Sequence, residues 1–324
     1  MHRRGLLLTA GMILISALPS AVLGQTPAWP ERPVKVVVPF APGGATDQTA
    51  RVWAEKLTQA LGQQFIVENR GGGASGSIGI ESVVRSPPDG YTLLYTPNAS
   101  IAVVPTLRKV NFDPIKDLDP VARTGDAIVG FTIHPSLGIK TFEEMIEYAR
   151  KNPGKLVYGS SGVGMANHLR IEVLKTKFNV DILHVPYRGG ADILNDHLPG
   201  VVHLMNEPIT LPHVKAGKLI LLNINGPVRH PEFPNVPSTT ELGIPDAEVP
   251  IWFSIWAPRG TPKDIREKMN AVMADIAATD DMKARMIAVN VIVPKQSTED
   301  MRKYLIEDTE RNREVIRVNN IKVE

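Results

Sequence analysis

The sequence predicts an α/β protein made of two lobes with a cleft between them. Short β-rich runs alternate with helical patterns along most of the chain, and this order favours a parallel sheet with helices on both faces. The chain has 324 residues, and this length exceeds what a single hydrophobic core usually organises. The strand pattern also restarts near residue 128, which indicates a second sheet.

The N-terminus has the layout of a secretory signal peptide over residues 1–24. Arg3 and Arg4 precede an apolar run over 6–23, and small residues before Gln25 suit a cleavage site. Gly, Ser and Pro interrupt this run, so its uninterrupted part is shorter than the roughly 20 residues that span a bilayer. We therefore expect export to the periplasm rather than a membrane anchor.

Composition and charge exclude several classes of function. Once the signal peptide is removed, 34 basic residues balance 34 acidic ones, and this balance provides no footprint for nucleic acid. Cys does not occur, which excludes disulfides, thiolate metal sites and a Cys nucleophile. No H-E-x-x-H or EF-hand spacing occurs either. We expect neither a metal nor a cofactor, and we expect a monomer.

The first lobe is predicted from strands and helices that alternate over residues 34–95. The helix that starts at Thr46 has its apolar residues on one face and ends at Gly62. The aspartate-containing stretch 113–119 is interpreted as a loop. The predicted elements are strands over 34–39, 64–68 and 91–95, a helix over 46–61, and a helix that includes Ile80 and Val84.

A second set of elements starts at residue 128. Its order indicates that residues 127–224 form an inserted lobe, with 25–126 and 225–324 as a discontinuous first lobe. The predicted elements are strands over 128–133, 156–159, 182–185, 201–205, 219–223 and 252–257, and helices over 141–151, 165–178, 191–198, 262–278 and 298–318.

The cleft is predicted from the rule that ligands bind open α/β sheets beyond the carboxyl ends of the strands. Four loops meet this condition, and Asn98 lies in the second of them. These candidate loops are 40–47, 96–100, 160–167 and 187–192.

The loop over 39–47 has the properties of an anion site. Gly43 and Gly44 leave backbone amides unblocked before a helix, whose positive end favours an anion. No Lys or Arg occurs between residues 35 and 51, so dipoles rather than a countercharge would bind the anion, which suits a carboxylate better than a polyphosphate. An ordinary turn remains the alternative. Asp47 either caps the helix or accepts a hydrogen bond from a ligand.

The stretch 158–168 repeats this arrangement in the second lobe, and 185–192 follows a strand in the same way. Two facing half-sites of this kind would hold a ligand with two polar ends. Catalysis is not expected, because Ser160 and Ser161 lack the G-x-S-x-G spacing of a nucleophile elbow. The enzyme alternative is a serine hydrolase that uses one of these serines with His168.

Several short motifs occur in a definite order. They are Trp29-Pro30 with Pro33; Val38-Pro39-Phe40 with Gly43-Gly44, Asp47 and Arg51; Glu68-Asn69-Arg70 before 71–79; Asp89-Gly90-Tyr91-Thr92-Leu93; Gly159-Ser160 with His168-Leu169; His184 to Gly189; and Pro234 to Glu241. In this order the chain resembles the Bug proteins, the TctC-like extracytoplasmic solute receptors of tripartite tricarboxylate transport systems.

This resemblance implies a type II periplasmic-binding-protein fold whose two lobes close like a Venus flytrap over a carboxylate. It implies contacts through main-chain amides at helix starts and a transporter in the membrane as partner. The contacts it implies are Phe40, Ala41, Gly43, Gly44 and Asp47 in the first lobe, and Ser160, Gly162, Gly164 and Met165 in the second, with Tyr187 and Gly189 nearby.

Some positions depart from the pattern of that family. Met165 stands where Ser or Thr is common, and Glu207 stands where Asp is common; Asn167 precedes His168. Met165 either favours an aromatic or long aliphatic carboxylate over citrate or packs in the core, and the sequence leaves both open. We expect specificity to depend on Met165, Tyr187, Asp192 and Glu207. A ligand-dependent partner of a signalling kinase is the other reading of such a receptor.

Overall fold

The computed structural model describes residues 29–226, 228–230, 232–247, 249–294, 298–319 and 321. The predicted signal peptide over residues 1–24 lies outside this part of the chain. Within it, no helix combines the length and the apolar character needed to cross a bilayer.

Strands and helices alternate along the described chain. The strands are β1 (Val34–Val38), β2 (Phe65–Asn69), β3 (Thr92–Pro97), β4 (Leu118–Ala127), β5 (Thr132–Ile133), β6 (Val157–Ser160), β7 (Leu183–Pro186), β8 (Leu204–Met205), β9 (Ile220–Leu221), β10 (Trp252–Pro258) and β11 (Val291–Ile292). The α-helices are α1 (Ala45–Leu61), α2 (Ser77–Val84), α3 (Ala99–Ala102), α4 (Val104–Leu107), α5 (Pro114–Asp117), α6 (Phe142–Lys151), α7 (Ala166–Phe178), α8 (Gly190–His197), α9 (Leu211–Lys215), α10 (Lys263–Ala278), α11 (Asp280–Ala288) and α12 (Thr298–Val318). Short 3₁₀ helices cover Ala74–Gly76, Pro135–Leu137, Pro208–Thr210 and Pro245–Ala247.

Two sheets form the framework. The first has the strand order β11-β4-β10-β3-β1-β2, and the second has the order β7-β6-β8-β5-β9. The chain leaves the first sheet after β4 and returns to it at β10. Strands β1, β2 and β3 are parallel, whereas β10 runs antiparallel to both β3 and β4. The predicted α/β class is confirmed, but the sheets are mixed rather than purely parallel.

The clearest sequence signals correspond to real elements. Helix α1 buries Ala50, Trp53, Ala54 and Leu57 on one face, and it ends where Gly62 adopts φ 71° and its amide bonds to the carbonyl of residue 58. Helix α6 begins with a capping box in which the Thr141 hydroxyl and the Glu144 carboxylate each accept from the other's backbone amide.

The interpretation of residues 113–119 as a loop is wrong in part. Asp113 caps the short helix α5, and Asp119 lies inside the ten-residue strand β4. The polar residues of this strand obscure its β pattern in the sequence. Residues that are distant in the sequence supply their hydrogen bonds. The Asp119 carboxylate accepts from the side chains of Arg259 and Arg302 and from the Gly260 amide, at 2.9 to 3.0 Å.

Two elements near the C-terminus were not predicted. Helix α11 begins after Thr279, whose extended backbone ends α10 and whose hydroxyl accepts from the Met282 amide. Met282 and Met286 are fully buried and anchor α11, which leads into β11. The predicted strands over 128–133, 201–205 and 219–223 are shortened to two residues each.

One buried network fixes helix α12 to the first sheet. Asp308 is fully buried, and its carboxylate accepts from the Asn98 amide group at 2.7 Å and from the Trp252 indole nitrogen at 3.0 Å. Asn98 precedes α3, and Trp252 begins β10. The network therefore joins three segments that are distant in the sequence.

We predict that Asp308→Ala lowers the free energy of unfolding by about 2–4 kcal/mol, because two buried donors lose their shared acceptor. Urea denaturation followed by circular dichroism measures this loss. Glu307→Ala, at an exposed position on the same helix, is the control and should change stability by less than about 0.5 kcal/mol. Equal stability of the two variants would contradict the role given to the network.

Candidate ligand-binding site

The loops after strands β1 and β7 lie in direct contact although the strands belong to different sheets. A β-carbon added to Gly44 would lie 3.5 Å from the Gly190 amide nitrogen and 3.7 Å from that of Ala191. One added to Gly189 would lie 3.6 Å from the Ala41 nitrogen. The starts of α1 and α8 therefore face each other without side chains between them.

A cavity lies beside this contact and is bordered by both sheets. Its volume is about 30 Å³, which is room for about two water molecules. The described residues that line it are Phe40, Gly44, Ala45, Thr46, Pro97, Asn98, Ala99, Ser161, Met165, Ala166, Asn167, Gly190, Glu207, Ile251 and Phe253.

Three helices begin at this cavity. Helices α1, α7 and α8 follow the residues Gly44, Met165 and Gly189, none of which caps its helix with a side chain. Among the described residues, no hydrogen-bond acceptor lies at the amides of Ala45 or Ala166, the first residues of α1 and α7. Unpaired amides at the positive ends of helices favour a bound anion.

Asp47 holds the first of these loops in shape. Its carboxylate accepts from the Gly43 amide at 2.8 Å and from Asn69 at 3.0 Å, and it pairs with Arg51 at 2.9 Å. Burial raises the pKa of Asp47, but the contacts with Arg51, Gly43 and Asn69 outweigh burial and hold it below its usual value. Gly43 adopts φ 84°, a conformation that favours glycine. Asp47 stabilises the loop and does not line the cavity.

Glu207 lies on the opposite wall of the cavity and is 8% exposed. Its Oε1 accepts a short hydrogen bond from the Ser161 hydroxyl and another from the Asn167 amide group at 2.7 Å. Burial raises the pKa of Glu207 above its usual value, and the opposing effects of the Ser161 hydroxyl and the nearby Arg170 guanidinium are smaller. Within the part of the chain that the structure describes, it is the one ionisable residue that lines this cavity.

Two other predicted site residues have structural contacts as well. Met165 is 6% exposed, and it lines the cavity while packing within the larger hydrophobic core. The Asn98 amide nitrogen donates to Asp308 and to the carbonyl of Pro250, and its oxygen accepts from the Trp252 amide. The side chain of Asn98 therefore organises the cavity wall.

A second cavity of about 230 Å³ adjoins the first through Phe40 and Ser161, and it is also lined by Gly162 and Tyr187. The Tyr187 hydroxyl donates to Asp196 at 2.7 Å. The remaining predicted site residues line neither cavity. They are Ala41, Gly43, Asp47, Ser160, Gly164, Gly189 and Asp192.

Ser160 is fully buried beneath the β6–α7 loop and contacts His184. Its hydroxyl oxygen lies 2.5 Å from His184 Nε2 and accepts from the Gly162 amide. His184 stacks on Tyr158, and the tilted ring of His168 lies with its centroid 4.6 Å from that of His184. The serine of the hydrolase hypothesis therefore pairs with His184 rather than with His168, and it supports the loop from below.

The sequence interpretation omitted several lining residues. Ala45 and Thr46 lie within the predicted loop 40–47, but neither was named as a contact. Ile251 and Phe253 come from the segment that returns to the first sheet at β10, and no local motif marks them.

Comparison with known proteins gives a consistent picture. Residues 49–321 match the sequence model of a family described as the tripartite tricarboxylate transporter family receptor. Three solved structures superimpose on most of the chain. The periplasmic binding protein BugD has a TM-score of 0.86 and 31% identity, with 91% of this chain and 100% of that chain covered.

The R. palustris protein Rpa4515 with adipate has a TM-score of 0.86 and 33% identity, with coverage of 91% and 99%. MatC (Rpa3494) from Rhodopseudomonas palustris with bound malate has a TM-score of 0.82 and 29% identity, with coverage of 89% and 100%. The expected fold of a two-lobed periplasmic binding protein is confirmed.

We predict that stability falls as the pH is lowered from about 6.5 to about 4. Burial lowers the pKa of His168 and of His184 from 6.5 to about 4. The unfolded chain therefore binds protons in this window before the folded chain does, and the stability present above pH 6.5 is lost. His168 alone contributes up to about 1.4 kcal/mol per pH unit.

Urea denaturation at half-unit steps of pH measures how steeply the free energy of unfolding changes with pH. The substitution His168→Gln should make this dependence less steep. His213→Gln, on helix α9, is the control and should leave the slope contributed by His168 in place. If the slopes of the wild-type protein and of His168→Gln coincide, the buried imidazole is not the source.

Proposed function

The chain belongs to the tripartite tricarboxylate transporter receptor family, and from that premise we propose that it captures a small mono- or dicarboxylate in the periplasm. In this proposal it delivers the ligand to the membrane components of a tripartite tricarboxylate transport system. It carries out no reaction on the ligand, and the signal peptide over residues 1–24 directs it to the periplasm.

The observation that carries the proposal is the arrangement of helix starts. Three helices, each of which follows a strand of one of the two sheets, present their first amides to one cavity. No Lys or Arg is among the described residues that line this cavity. Such amides suit the two oxygens of a carboxylate, because each oxygen accepts more than one hydrogen bond. The adipate and malate in the two similar structures support this choice of ligand class for the present chain.

The cavity is too small to admit a carboxylate ligand without a change in the protein. We propose that the lobes 25–126 with 225–324, and 127–224, separate to admit a ligand and close over it. The direct approach of Gly44 to Gly190 corresponds to a closed state. A ligand stabilises this state only by its higher affinity for it, and amides contributed by both lobes provide that difference.

We predict that carboxylates raise the unfolding temperature and that their neutral amides and esters do not. A ligand at 100 times its dissociation constant adds about 2.7 kcal/mol of stability. A thermal-shift screen of matched pairs, each a mono- or dicarboxylic acid with its amide, measures the difference. If neutral solutes shift the transition and no carboxylate does, the function proposed here is wrong.

We predict that Ala45→Pro weakens carboxylate binding by about 10- to 100-fold. Proline is tolerated at the first position of a helix, and Gly44 already has the extended backbone that precedes proline. The substitution removes one amide donor to a charged group, which is worth about 1.5–3 kcal/mol. Isothermal titration with a carboxylate from the screen measures the change.

Asp280→Pro is the matched control, because it places proline at the first position of α11, after the extended Thr279 and away from the cavity. It should bind the carboxylate as the wild-type protein does. Unchanged binding by Ala45→Pro would show that the start of α1 does not contact the carboxylate.

A further inference from the structure

A basic groove lies at the opposite end of strand β10 from the candidate cavity. Its volume is about 990 Å³, and its walls come from the starts of β4 and α10, the turn after β10 and the first half of α12. Phe253, near the start of β10, lines the cavity, whereas Arg259 follows the end of the strand and lines the groove. About 20 Å of extended chain separates the two residues. The groove is therefore distinct from the carboxylate site.

Cations outnumber carboxylates in this groove. The basic residues of its described lining are Arg259, Lys263, Arg266, Arg302 and Lys303, and the acidic residues are Asp119, Glu267 and Glu307. The excess of positive charge favours a partner that carries negative charge.

One buried carboxylate lies among the three arginines. Asp119 is 6% exposed and pairs with Arg259 at 3.0 Å and with Arg302 at 2.9 Å. Arg266 donates through Nε to the Thr261 carbonyl at 3.1 Å, and no carboxylate of the described chain pairs with its guanidinium. Burial and the two neighbouring guanidiniums lower the pKa of Arg302, and the attraction of Asp119 does not offset them. A further carboxylate at this position would therefore be favourable.

The two lysines of the groove are exposed and loosely paired. The side chains of Lys263 and Lys303 are 77% and 79% exposed. They lie 3.4 Å from Glu267 and 3.8 Å from Glu307, each on its own helix. Exposed pairs of this kind contribute little to stability. Both lysines can therefore turn towards a partner at little cost to the fold.

The shape of the groove favours a protein segment over a lipid surface. The side chain of Arg302 is 28% exposed and Arg266 is half-buried, whereas the lysines protrude. A flat bilayer would contact the protruding lysines, but it cannot enter the groove. A protein segment can enter, because its carboxylates extend on side chains and match the planar guanidinium group. Ile306, which is 43% exposed, adds an apolar contact for such a segment.

We propose that this groove docks an acidic segment of a protein partner, whose side-chain carboxylates pair with Arg266, Lys263 and Lys303. Opposite charges on two surfaces accelerate association and select the partner. In the proposed function the partner is a membrane component of the transport system, and to that extent the inference rests on that function. Because the groove is distant from the carboxylate site, docking leaves the cleft free to bind its ligand.

Fluorescence anisotropy with a short labelled peptide that alternates Glu with Ser and Leu tests the groove. In the reference peptide, Gln replaces every Glu. At an ionic strength of about 0.05 M, where exposed charges are weakly screened, the Glu peptide should bind at least about tenfold more tightly than the Gln peptide. The double variant Lys263→Glu, Lys303→Glu should bind the Glu peptide at least about tenfold more weakly than the wild-type protein, because two attractions become repulsions.

The double variant Lys151→Glu, Lys283→Glu is the matched control. Both of these lysines are exposed, form ion pairs on their own helices and lie outside the described groove lining. The control has the same net charge as the groove variant, and it should bind the Glu peptide within about threefold of the wild-type protein. The unfolding temperature of each variant shows whether it is folded.

Equal loss of affinity in both double variants would mean that net charge, rather than the groove, binds the peptide, and it would overturn the inference. The inference also fails if the Glu and Gln peptides bind alike. It fails again if the groove lysines are needed for binding to phosphatidylglycerol vesicles while the Glu peptide does not bind.

Failure of this inference is distinguishable from failure of the proposed function. Ala45→Pro should weaken carboxylate binding and leave peptide binding unchanged, and the groove variant should do the reverse. If the peptide binds as expected and no carboxylate does, the docking groove stands and the carboxylate function fails. If carboxylates bind and the peptide does not, the carboxylate function stands and the docking groove fails.

Discussion

Unpaired backbone amides at helix starts are the feature on which the site depends. A helix leaves its first amides without intrahelical partners, and the loops after β1, β6 and β7 place three such starts around one cavity. Parallel strands make this arrangement possible, because β1 in the first sheet and β6 in the second each lead into a helix at the carboxyl end of the strand. The position of the proposed carboxylate site therefore follows from strand order, and side chains adjust it.

Buried polar networks keep these loops in place. Asp47 bonds to the Gly43 amide on one side of the cleft, and Ser160 accepts from the Gly162 amide on the other. Behind these loops, the adjacent His168 and His184 remain neutral at pH 7 because burial lowers their pKa values. The buried histidines that lie behind these loops thus make the free energy of unfolding depend on pH.

Much of the fold could be predicted because its signals are local. The apolar face of α1 and the glycine that ends it act within a few turns of one helix, and the structure contains both. Strand β4 was missed because its polar residues are satisfied by arginines about 140 and 183 residues away. The site shows the same limit. Local motifs identified Gly44 and Met165, whereas Phe253 reaches the cavity only through the return of the chain to the first sheet.

Reliance on main-chain groups has a consequence for how such receptors diversify. A side-chain substitution leaves an amide in place unless the new residue is proline, so the proposed amide site for a carboxylate would persist while the sequence changes. Only a few wall positions, among them Met165 and Glu207, then need to change for a different ligand to be selected. Under the proposed function, affinity for the carboxylate group would be inherited with the fold, and ligand identity could change by single substitutions.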